Sequence, residues 1–127
     1  MSKQIINTSH AAEPIGPYNH SVRYGNLLFT SGQIALDLNG KLIQDTIENE
    51  THQVFKNLKA ILGEAGLNFN NVIKVSIFLK NMSDFEVVNA VYAEYFESET
   101  APARETVQVA KLPKDVNIEI SLIAGIN

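Results

Sequence analysis

The sequence predicts an α+β protein in which two helices cover one face of a mixed β-sheet. Two observations predict this class: segments with helical apolar spacing near residues 45–66 and 83–96, and short apolar segments before, between and after them. The element order is βββαβαββ, and two amphipathic helices suffice to cover one face of such a sheet in a two-layer sandwich. The other face must meet solvent or another subunit. A length of 127 residues predicts a single domain, residues 1–127.

The strands are predicted from short runs of apolar and β-branched residues bounded by turn residues. The clearest runs are His20–Tyr24, Leu27–Ala35, Val72–Leu79, Arg104–Val109 and Asn117–Ala124. Gly25 and Asn26 separate the first two runs, which is typical of a tight hairpin. Residues 7–17 contain two prolines and a glycine and are predicted to form a long irregular segment, a kind that is often functional.

The helices are predicted from apolar spacing and from capping patterns at their ends. Helix 1 is expected to begin near Asp45, with Glu48 three residues later in a capping box, and to end at Gly66. Helix 2 is expected to begin at Ser83, with Glu86 forming a second capping box. Its apolar stripe runs from residue 85 to residue 96, and both stripes are predicted to face the core.

Composition excludes several classes of function. The net charge is −4 and lysine and arginine form no cluster, so nucleic-acid binding is not expected. Cysteine is absent, and the three histidines lack metal-ligand spacing, so we expect no thiol chemistry and no metal site. His52 is expected to be solvated on helix 1. No export signal and no apolar run of about 20 residues is visible, so a cytoplasmic protein without membrane contact is expected.

Alternation along the last two strands identifies two charged candidates. Glu119 alternates with apolar residues, and Arg104 and Thr106 alternate with Val107 and Val109. We therefore expect Arg104 and Glu119 to share the uncovered face of the sheet. Two interpretations stay open at this point. The pair is a surface ion pair, or the arginine binds a substrate carboxylate while the glutamate orients or deprotonates a water molecule.

Five motifs are spread over nearly the whole chain: IGPY at 15–18, LFTSGQI at 28–34, PAR at 102–104, VQVAKLPKDV at 107–116 and IEI at 118–120. Together they resemble the motifs of the RidA (YjgF) family. Several separated motifs in the right order are far more specific than any one of them. The resemblance implies a chorismate-mutase-like α+β fold. It also implies a homotrimer with three clefts between neighbouring subunits.

The resemblance further implies a cofactor-independent deaminase that hydrolyses 2-iminobutanoate and 2-iminopropanoate to 2-keto acids and ammonia. Pyridoxal-phosphate dehydratases, which release these imines and their enamine tautomers, are then indirect partners. Arg104 matches the arginine that holds the substrate carboxylate, and Glu119 matches the glutamate that places the attacking water. Tyr18 matches a tyrosine of the cleft. Further substrate-binding positions are Ser31, Gly32, Asn89 and Thr106.

The sequence departs from the family pattern at Thr106, where many members carry a cysteine, so a thiol nucleophile is unavailable. Two other functions stay open. One is a non-enzymatic binder of small carboxylic acids on the same scaffold. The other is ribonuclease activity or translation inhibition, attributed to some relatives, which the acidic net charge argues against. An uncovered face that includes Phe78 favours the trimer over a monomer.

Overall fold

The protein is a two-layer α+β sandwich with the predicted order βββαβαββ, in a computed structural model that describes residues 2–127. The strands are β1 (Gln4–Ile6), β2 (Ser21–Tyr24), β3 (Leu27–Thr30), β4 (Val72–Leu79), β5 (Ala103–Gln108) and β6 (Ile118–Gly125). The helices are α1 (Ile47–Glu64) and α2 (Phe85–Tyr92). The predicted fold class is therefore confirmed.

The six strands form one mixed sheet in the order β1-β2-β3-β6-β4-β5. Strands β4 and β5 pair in parallel, and α2 lies between them in the chain, as a parallel crossover requires. The other neighbours pair antiparallel. Strand β6 therefore lies in the middle of the sheet, and β5 forms one edge.

Both helices pack on the same face of the sheet, where they bury the main apolar core. Alternate residues of β6 (Ile118, Ile120, Leu122 and Ala124) and of β4 point into this core. From α1 it receives Phe55, whose ring stacks on Tyr95 with 4.4 Å between centroids. We call this side of the sheet the helix face and the other side the open face.

The helix starts differ from the predicted capping patterns. Thr46, not Asp45, caps α1: its hydroxyl accepts a hydrogen bond from the backbone N–H of Asn49 at 3.1 Å. Asp45 instead accepts from the Asn49 side-chain amide at 3.0 Å. A short 3-10 turn over Met82–Asp84 precedes α2, so the predicted Ser83 capping box does not form.

The strands differ from prediction at the N-terminal side of the sheet. The sequence did not locate β1, which has only three residues. The β2–β3 hairpin is confirmed, with Gly25 at a φ of 61° in its turn. Strand β3 ends at Thr30 rather than at Ala35, because the chain leaves the ladder and rejoins it by a single bridge from Gln33 to Ile120.

The open face carries large apolar side chains that the described residues 2–127 leave exposed. Ile5, Phe29 and Val107 point to this side and are 43%, 42% and 41% exposed. Phe78 also lies on the open face, as expected, but it is half-buried because it packs against a second apolar cluster. That cluster contains Ile34, Leu36, Leu112 and Val116.

Candidate functional site

A small cavity of about 50 Å³, open to solvent at its mouth, lies beside Glu119 on the open face. Its lining combines apolar side chains with two carboxylates. The residues are Ala12, Glu13, Pro14, Ile15, Tyr18, His20, Gly32, Gln33, Ile34, Leu36, Pro113 and Glu119. We call this cavity the Glu119 pocket. Its volume is well below that of a complete small-molecule site, so within one chain the pocket has room for only a small group such as water.

The Glu119 carboxylate lies directly against the backbone of Gly32. A Cβ atom at position 32 would overlap the Glu119 side chain, so only glycine permits this approach. Burial raises the pKa of Glu119 above its ordinary value, and no nearby charge opposes this shift. Among residues 2–127, no ion pair includes Glu119. The carboxylate is therefore half-buried, unpaired and turned toward the pocket.

His20 anchors the irregular segment that forms one wall of the pocket. Its side chain is only 2% exposed, Nδ1 accepts from the backbone N–H of Thr8 at 3.2 Å, and Nε2 lies 2.7 Å from the Ala12 carbonyl oxygen. Because Nδ1 accepts, Nε2 must carry the proton and donate to that carbonyl. This neutral ring fixes residues 8–12, which lead into Pro14 and Ile15 of the pocket wall.

The predicted pocket residues Tyr18, Gly32 and Ser31 differ in how they meet the pocket. Tyr18 lines the pocket, 44% exposed, and its hydroxyl accepts from the Ile15 N–H at 3.4 Å. Gly32 supports Glu119 as described. The Ser31 hydroxyl instead donates to the Asn19 carbonyl at 2.6 Å, so it is committed to the backbone behind the pocket.

A tight turn before β6 completes the pocket wall at Pro113. The next two residues, Lys114 and Asp115, have φ values of 53° and 55°, in the left-handed region that side-chain-bearing residues seldom adopt. Lys80 binds this turn through an ion pair of 3.1 Å to the Asp115 carboxylate. The pocket wall beside Glu119 is thus held in place by Lys80, the residue that follows β4.

Arg104 does not share the open face with Glu119, and the prediction that it does is wrong. Arg104 pairs with the core residue Val75 across the β4–β5 ladder, so its side chain points to the helix face. There its Cζ lies 4.6 Å from the centre of the Tyr92 ring and 5.7 Å from that of Phe85, both on α2.

The error arises because β5 is an edge strand. Val107, whose apolar character suggested the core side, points to the open face and stays exposed. Glu105 lies on the same open face, where its carboxylate binds Lys74 at 2.6 Å and also accepts from Ser76. Hydrogen bonds from Lys74 and then Ser76 lower the pKa of Glu105. This neighbouring carboxylate is therefore engaged away from Arg104.

The side chains around Arg104 form a second group, which we call the Arg104 rim: Phe85, Asn89, Tyr92, Arg104 and Thr106. Phe85, Asn89 and Tyr92 share one face of α2 by their helical spacing of four and three residues. The Thr106 and Tyr92 hydroxyl oxygens are buried without a hydrogen-bond partner among residues 2–127. The sequence predicted Arg104, Asn89 and Thr106 as site residues, but Phe85 and Tyr92 only as core.

Within one chain the rim and the pocket are far apart. In the ladder Glu119 pairs with Phe78, which pairs with Val107, three residues beyond Arg104. Two strand spacings and three residues along a strand correspond to roughly 14 Å, with the two side chains on opposite faces. One chain thus presents two half-sites of opposite charge that cannot meet each other.

The His52 side chain is 38% exposed and so partly solvated, as predicted, but its ring also makes specific contacts. Its Nδ1 lies 2.6 Å from the Tyr95 hydroxyl, and its Nε2 lies 3.5 Å from a Glu94 carboxylate oxygen, so the ring links α1 to the segment after α2. Residues 2–127 contain no group of three or more histidine and acidic side chains placed to hold a metal ion. No helix in this part of the chain is long and apolar enough to cross a membrane.

The comparison with known families gives one match over almost the whole chain. The family model described as Endoribonuclease L-PSP, which represents the RidA (YjgF) proteins, matches residues 8–126. The chain belongs to the RidA family. The matched range includes both the Glu119 pocket and the Arg104 rim, so the two half-sites lie within the part that the RidA family shares.

Individual RidA relatives carry several names. A RutC family protein of Pyrococcus horikoshii is 50% identical over 96% of this chain and 97% of its own length. A protein of Dermatophagoides farinae named 2-iminobutanoate/2-iminopropanoate deaminase is 42% identical over 98% and 97%. Among solved structures, Escherichia coli TdcF with bound serine superposes with a TM-score of 0.91 at 38% identity, covering 98% of this chain and 99% of that one.

Proposed function

We propose that the protein hydrolyses small 2-imino acids to 2-keto acids and ammonia, in clefts between the subunits of a homotrimer. The observation that carries this proposal is the Glu119 carboxylate, which is half-buried against Gly32 beside a small cavity and has no ionic partner among residues 2–127. Support comes from the relative of Dermatophagoides farinae named as such a deaminase. The substrates are the reactive imines that pyridoxal-phosphate dehydratases release.

Arg104 is proposed to hold the substrate carboxylate. Among residues 2–127 no ion pair includes Arg104, and the adjacent Glu105 is bound to Lys74 and Ser76. The planar guanidinium matches a carboxylate with two parallel hydrogen bonds. Asn89, on the same face of α2 as Phe85 and Tyr92, and Thr106, two residues beyond Arg104 on β5, are proposed as further contacts of the same substrate.

Glu119 is proposed to act on the water that attacks the imine carbon. The carboxylate takes a proton from this water as the water oxygen bonds to the carbon of the protonated imine, and the C=N electron pair moves to nitrogen to give a neutral amine. Glu119 then returns this proton to the nitrogen, the C–N bond breaks and ammonia leaves. The hydroxyl group left on the carbon gives its proton to the Glu119 carboxylate, which yields the 2-keto acid. A raised pKa suits both steps, because the group must both accept and release a proton near neutral pH.

A trimer is proposed because it would supply each pocket with an arginine from the next subunit. One chain separates the two half-sites by roughly 14 Å and by the thickness of the sheet. The exposed apolar residues of the open face, Ile5, Phe29 and Val107 among them, are an unusual surface for a monomer. Closed cyclic symmetry would bury them and place rim against pocket at each of the contacts.

The direct test couples a threonine dehydratase to threonine and follows keto-acid release with and without this protein. We expect faster release of 2-ketobutyrate and protection of a second pyridoxal-phosphate enzyme from inactivation. The Glu119→Gln variant serves as the matched control, since it preserves the shape of the pocket. Equal release with the unmodified protein and with this variant would remove the proposed activity.

Mixed trimers test the shared cleft. Arg104→Ala and Glu119→Gln subunits, each inactive alone, are unfolded together and refolded at equal amounts. Where a Glu119→Gln subunit gives its arginine to the pocket of an Arg104→Ala subunit, an intact site forms, so about a quarter of the sites should regain activity. If each site lay within one chain, no mixture would recover activity.

A second candidate is a binder of small carboxylic acids without turnover, favoured by the serine bound to Escherichia coli TdcF. The deaminase is preferred because a binder has no use for an unpaired carboxylate of raised pKa beside its ligand. Ribonuclease activity, suggested by the name Endoribonuclease L-PSP of the family model, is disfavoured by the net charge of −4. Ligand binding without any acceleration of imine hydrolysis would select the binder.

A further inference from the structure

We propose that Tyr92 is a positioning residue of this reaction: its aromatic ring holds the Arg104 guanidinium in the orientation that receives the substrate carboxylate. The inference rests on the proposed function and adds a residue to its machinery. Tyr92 belongs to the apolar stripe of α2, so the sequence pattern alone assigns it to the core. Its contact with Arg104 gives it a second role.

The geometry is that of a cation–π contact. Cζ of Arg104 lies 4.6 Å from the centroid of the Tyr92 ring, well within the distance of about 6 Å at which such contacts are attractive. The Phe85 ring, at 5.7 Å, gives a second and weaker contact. Two aromatic rings of α2 therefore lie beside a guanidinium that projects from β5.

An aromatic ring positions an arginine without consuming its hydrogen-bond donors. A carboxylate partner would occupy one edge of the guanidinium and would compete with a substrate carboxylate for the same N–H groups. A ring attracts the face of the cation and leaves its edges free. Since no ion pair among residues 2–127 includes Arg104, the rings supply its fixed attraction.

The Tyr92 ring is itself held firmly enough to serve as a support. It is 8% exposed, and its centroid lies 4.6 Å from that of Phe96 and 5.9 Å from that of Phe55. These neighbours belong to the main core between the helices. The orientation of Arg104 is thus tied to the packing of the core, although Arg104 itself lies at the rim.

The Tyr92 hydroxyl offers a clean way to separate the ring from its polar atom. Its oxygen is buried and has no hydrogen-bond partner among the described residues, and burial raises the pKa of the phenol while the charge of Arg104 opposes that shift. Phenylalanine keeps the ring and removes only this oxygen, so Tyr92→Phe should leave Arg104 in place and cost no hydrogen bond within the chain.

The experiment compares Tyr92→Phe, Tyr92→Leu and Phe96→Leu in the assembled protein. The readouts are the Kd of 2-ketobutyrate by calorimetry and the KM and kcat of imine hydrolysis. Tyr92→Leu removes the ring, and we expect Kd and KM to rise together by roughly three- to tenfold while kcat stays within about twofold. Tyr92→Phe should match the unmodified protein in all three constants.

Phe96→Leu is the matched control. It removes an equally buried ring that packs on Tyr92 and is not in a cation–π contact with Arg104, so it should lower thermal stability but raise Kd and KM clearly less than Tyr92→Leu, because the Tyr92 ring remains beside Arg104. If Phe96→Leu raised Kd as much as Tyr92→Leu, the effect would be general core packing and the proposal would be wrong. An equal loss in Tyr92→Phe would assign the role to the hydroxyl and also overturn it.

Two further variants complete the test. If Tyr92→Leu does not fold, Phe85→Leu replaces it: we expect a rise in Kd of roughly twofold, and no rise overturns the proposal. Arg104→Ala separates this inference from the proposed function. If Arg104→Ala weakens binding and Tyr92→Leu does not, the support role fails and the deaminase stands. If Arg104→Ala binds 2-ketobutyrate unchanged, the proposed function fails first.

Discussion

Within residues 2–127, the Glu119 pocket and the Arg104 rim each keep a charged side chain without an ionic partner, but they hold it by different means. The pocket uses close backbone approach and burial, since Glu119 lies against Gly32 and its pKa is raised. The rim uses aromatic rings, since Arg104 lies over Tyr92 and Phe85. Glu119 is confined by the atoms around it, whereas Arg104 is supported by the aromatic rings on one side.

The difference indicates how much each half-site should tolerate change. An unpaired charge near a folded interior is costly, and the simplest remedy is an opposite charge nearby. The sheet prevents that remedy by placing the two groups on opposite faces. The pocket depends on atoms in direct contact, so small changes there should have large effects. The rim depends on the attraction between the Arg104 guanidinium and two aromatic rings, which varies gradually with distance. Substitutions in the rim should therefore cause smaller, graded losses of binding.

The largest expected effect is that of Glu119→Gln. Glutamine preserves the shape and much of the hydrogen bonding of the side chain but accepts no proton, so turnover should fall by roughly two to four decades. Binding of 2-ketobutyrate should largely survive. Kinetics of imine hydrolysis and calorimetry measure the two quantities. A much smaller fall would show that the carboxylate only positions water, and full turnover would exclude the role.

Gly32→Ala tests the close contact in the pocket. The added Cβ would overlap the Glu119 carboxylate. The carboxylate would have to move away from residue 32 until the two groups reach an ordinary van der Waals contact distance. A displacement on the order of 1 Å can cost about 10²-fold in rate, and we expect a loss up to this size with the thermal stability little changed. Gly63→Ala, at a helical position with open space around it, is the control. Unchanged turnover in Gly32→Ala would mean that Glu119 has room to relocate.

Arg104→Lys tests the rim with its charge preserved. Lysine still forms a cation–π contact but lacks the planar fork that binds a carboxylate through two hydrogen bonds. The loss of such a charge-assisted pair is worth roughly 1.5–3 kcal/mol, so kcat/KM should fall by about one to two decades. If the variant binds and turns over like the unmodified protein, the substrate carboxylate is held elsewhere.

The pH dependence gives the smallest and most specific effect. Hydrolysis needs ionised Glu119, and its raised pKa moves the acidic limb of kcat/KM above the pKa of an ordinary glutamate, about 4.3. The contribution of Glu119 to the stability of the fold depends on pH in the opposite sense. Because the pKa of Glu119 is raised in the folded state, folding favours the protonated carboxyl group. This stabilisation is complete below the ordinary pKa of glutamate and is lost as the pH rises through the raised pKa. The thermal stability of Glu119→Gln, measured over the same pH range, should therefore not show this loss. If the thermal stabilities of the two proteins changed with pH in parallel, this expectation would be wrong.

Much of the fold was accessible from the sequence because it depends on long, regular patterns. The apolar spacing of α1 and the eight-residue run of β4 carry enough repeats to be unambiguous. The three residues of β1 do not. The helix starts were missed because several residues near each start are able to cap, and only packing selects among them.

The site was accessible only as a set of residues, and its geometry was not. Alternation on β5 assigned Val107 to the core, a rule that fails on an edge strand whose open face is itself apolar. Arg104 was therefore placed on the wrong face. Tyr92 was invisible as a site residue because its helical position is also a core position. Its spacing of three residues from Asn89 is the signal that links it to the rim.

The central position of β6 has a consequence for how the chain reaches its native state. Strands β1 to β3 form one antiparallel ribbon and β4 with β5 another, and only β6 joins them, pairing Ala124 with Leu28 and Leu122 with Val75. Residues nearly a hundred positions apart must meet before the sheet closes. During synthesis both ribbons are complete while their joining strand is still missing, and each exposes an apolar face. We therefore expect folding that is slow for a chain of this size, because the two ribbons stay separate and exposed until β6 joins them.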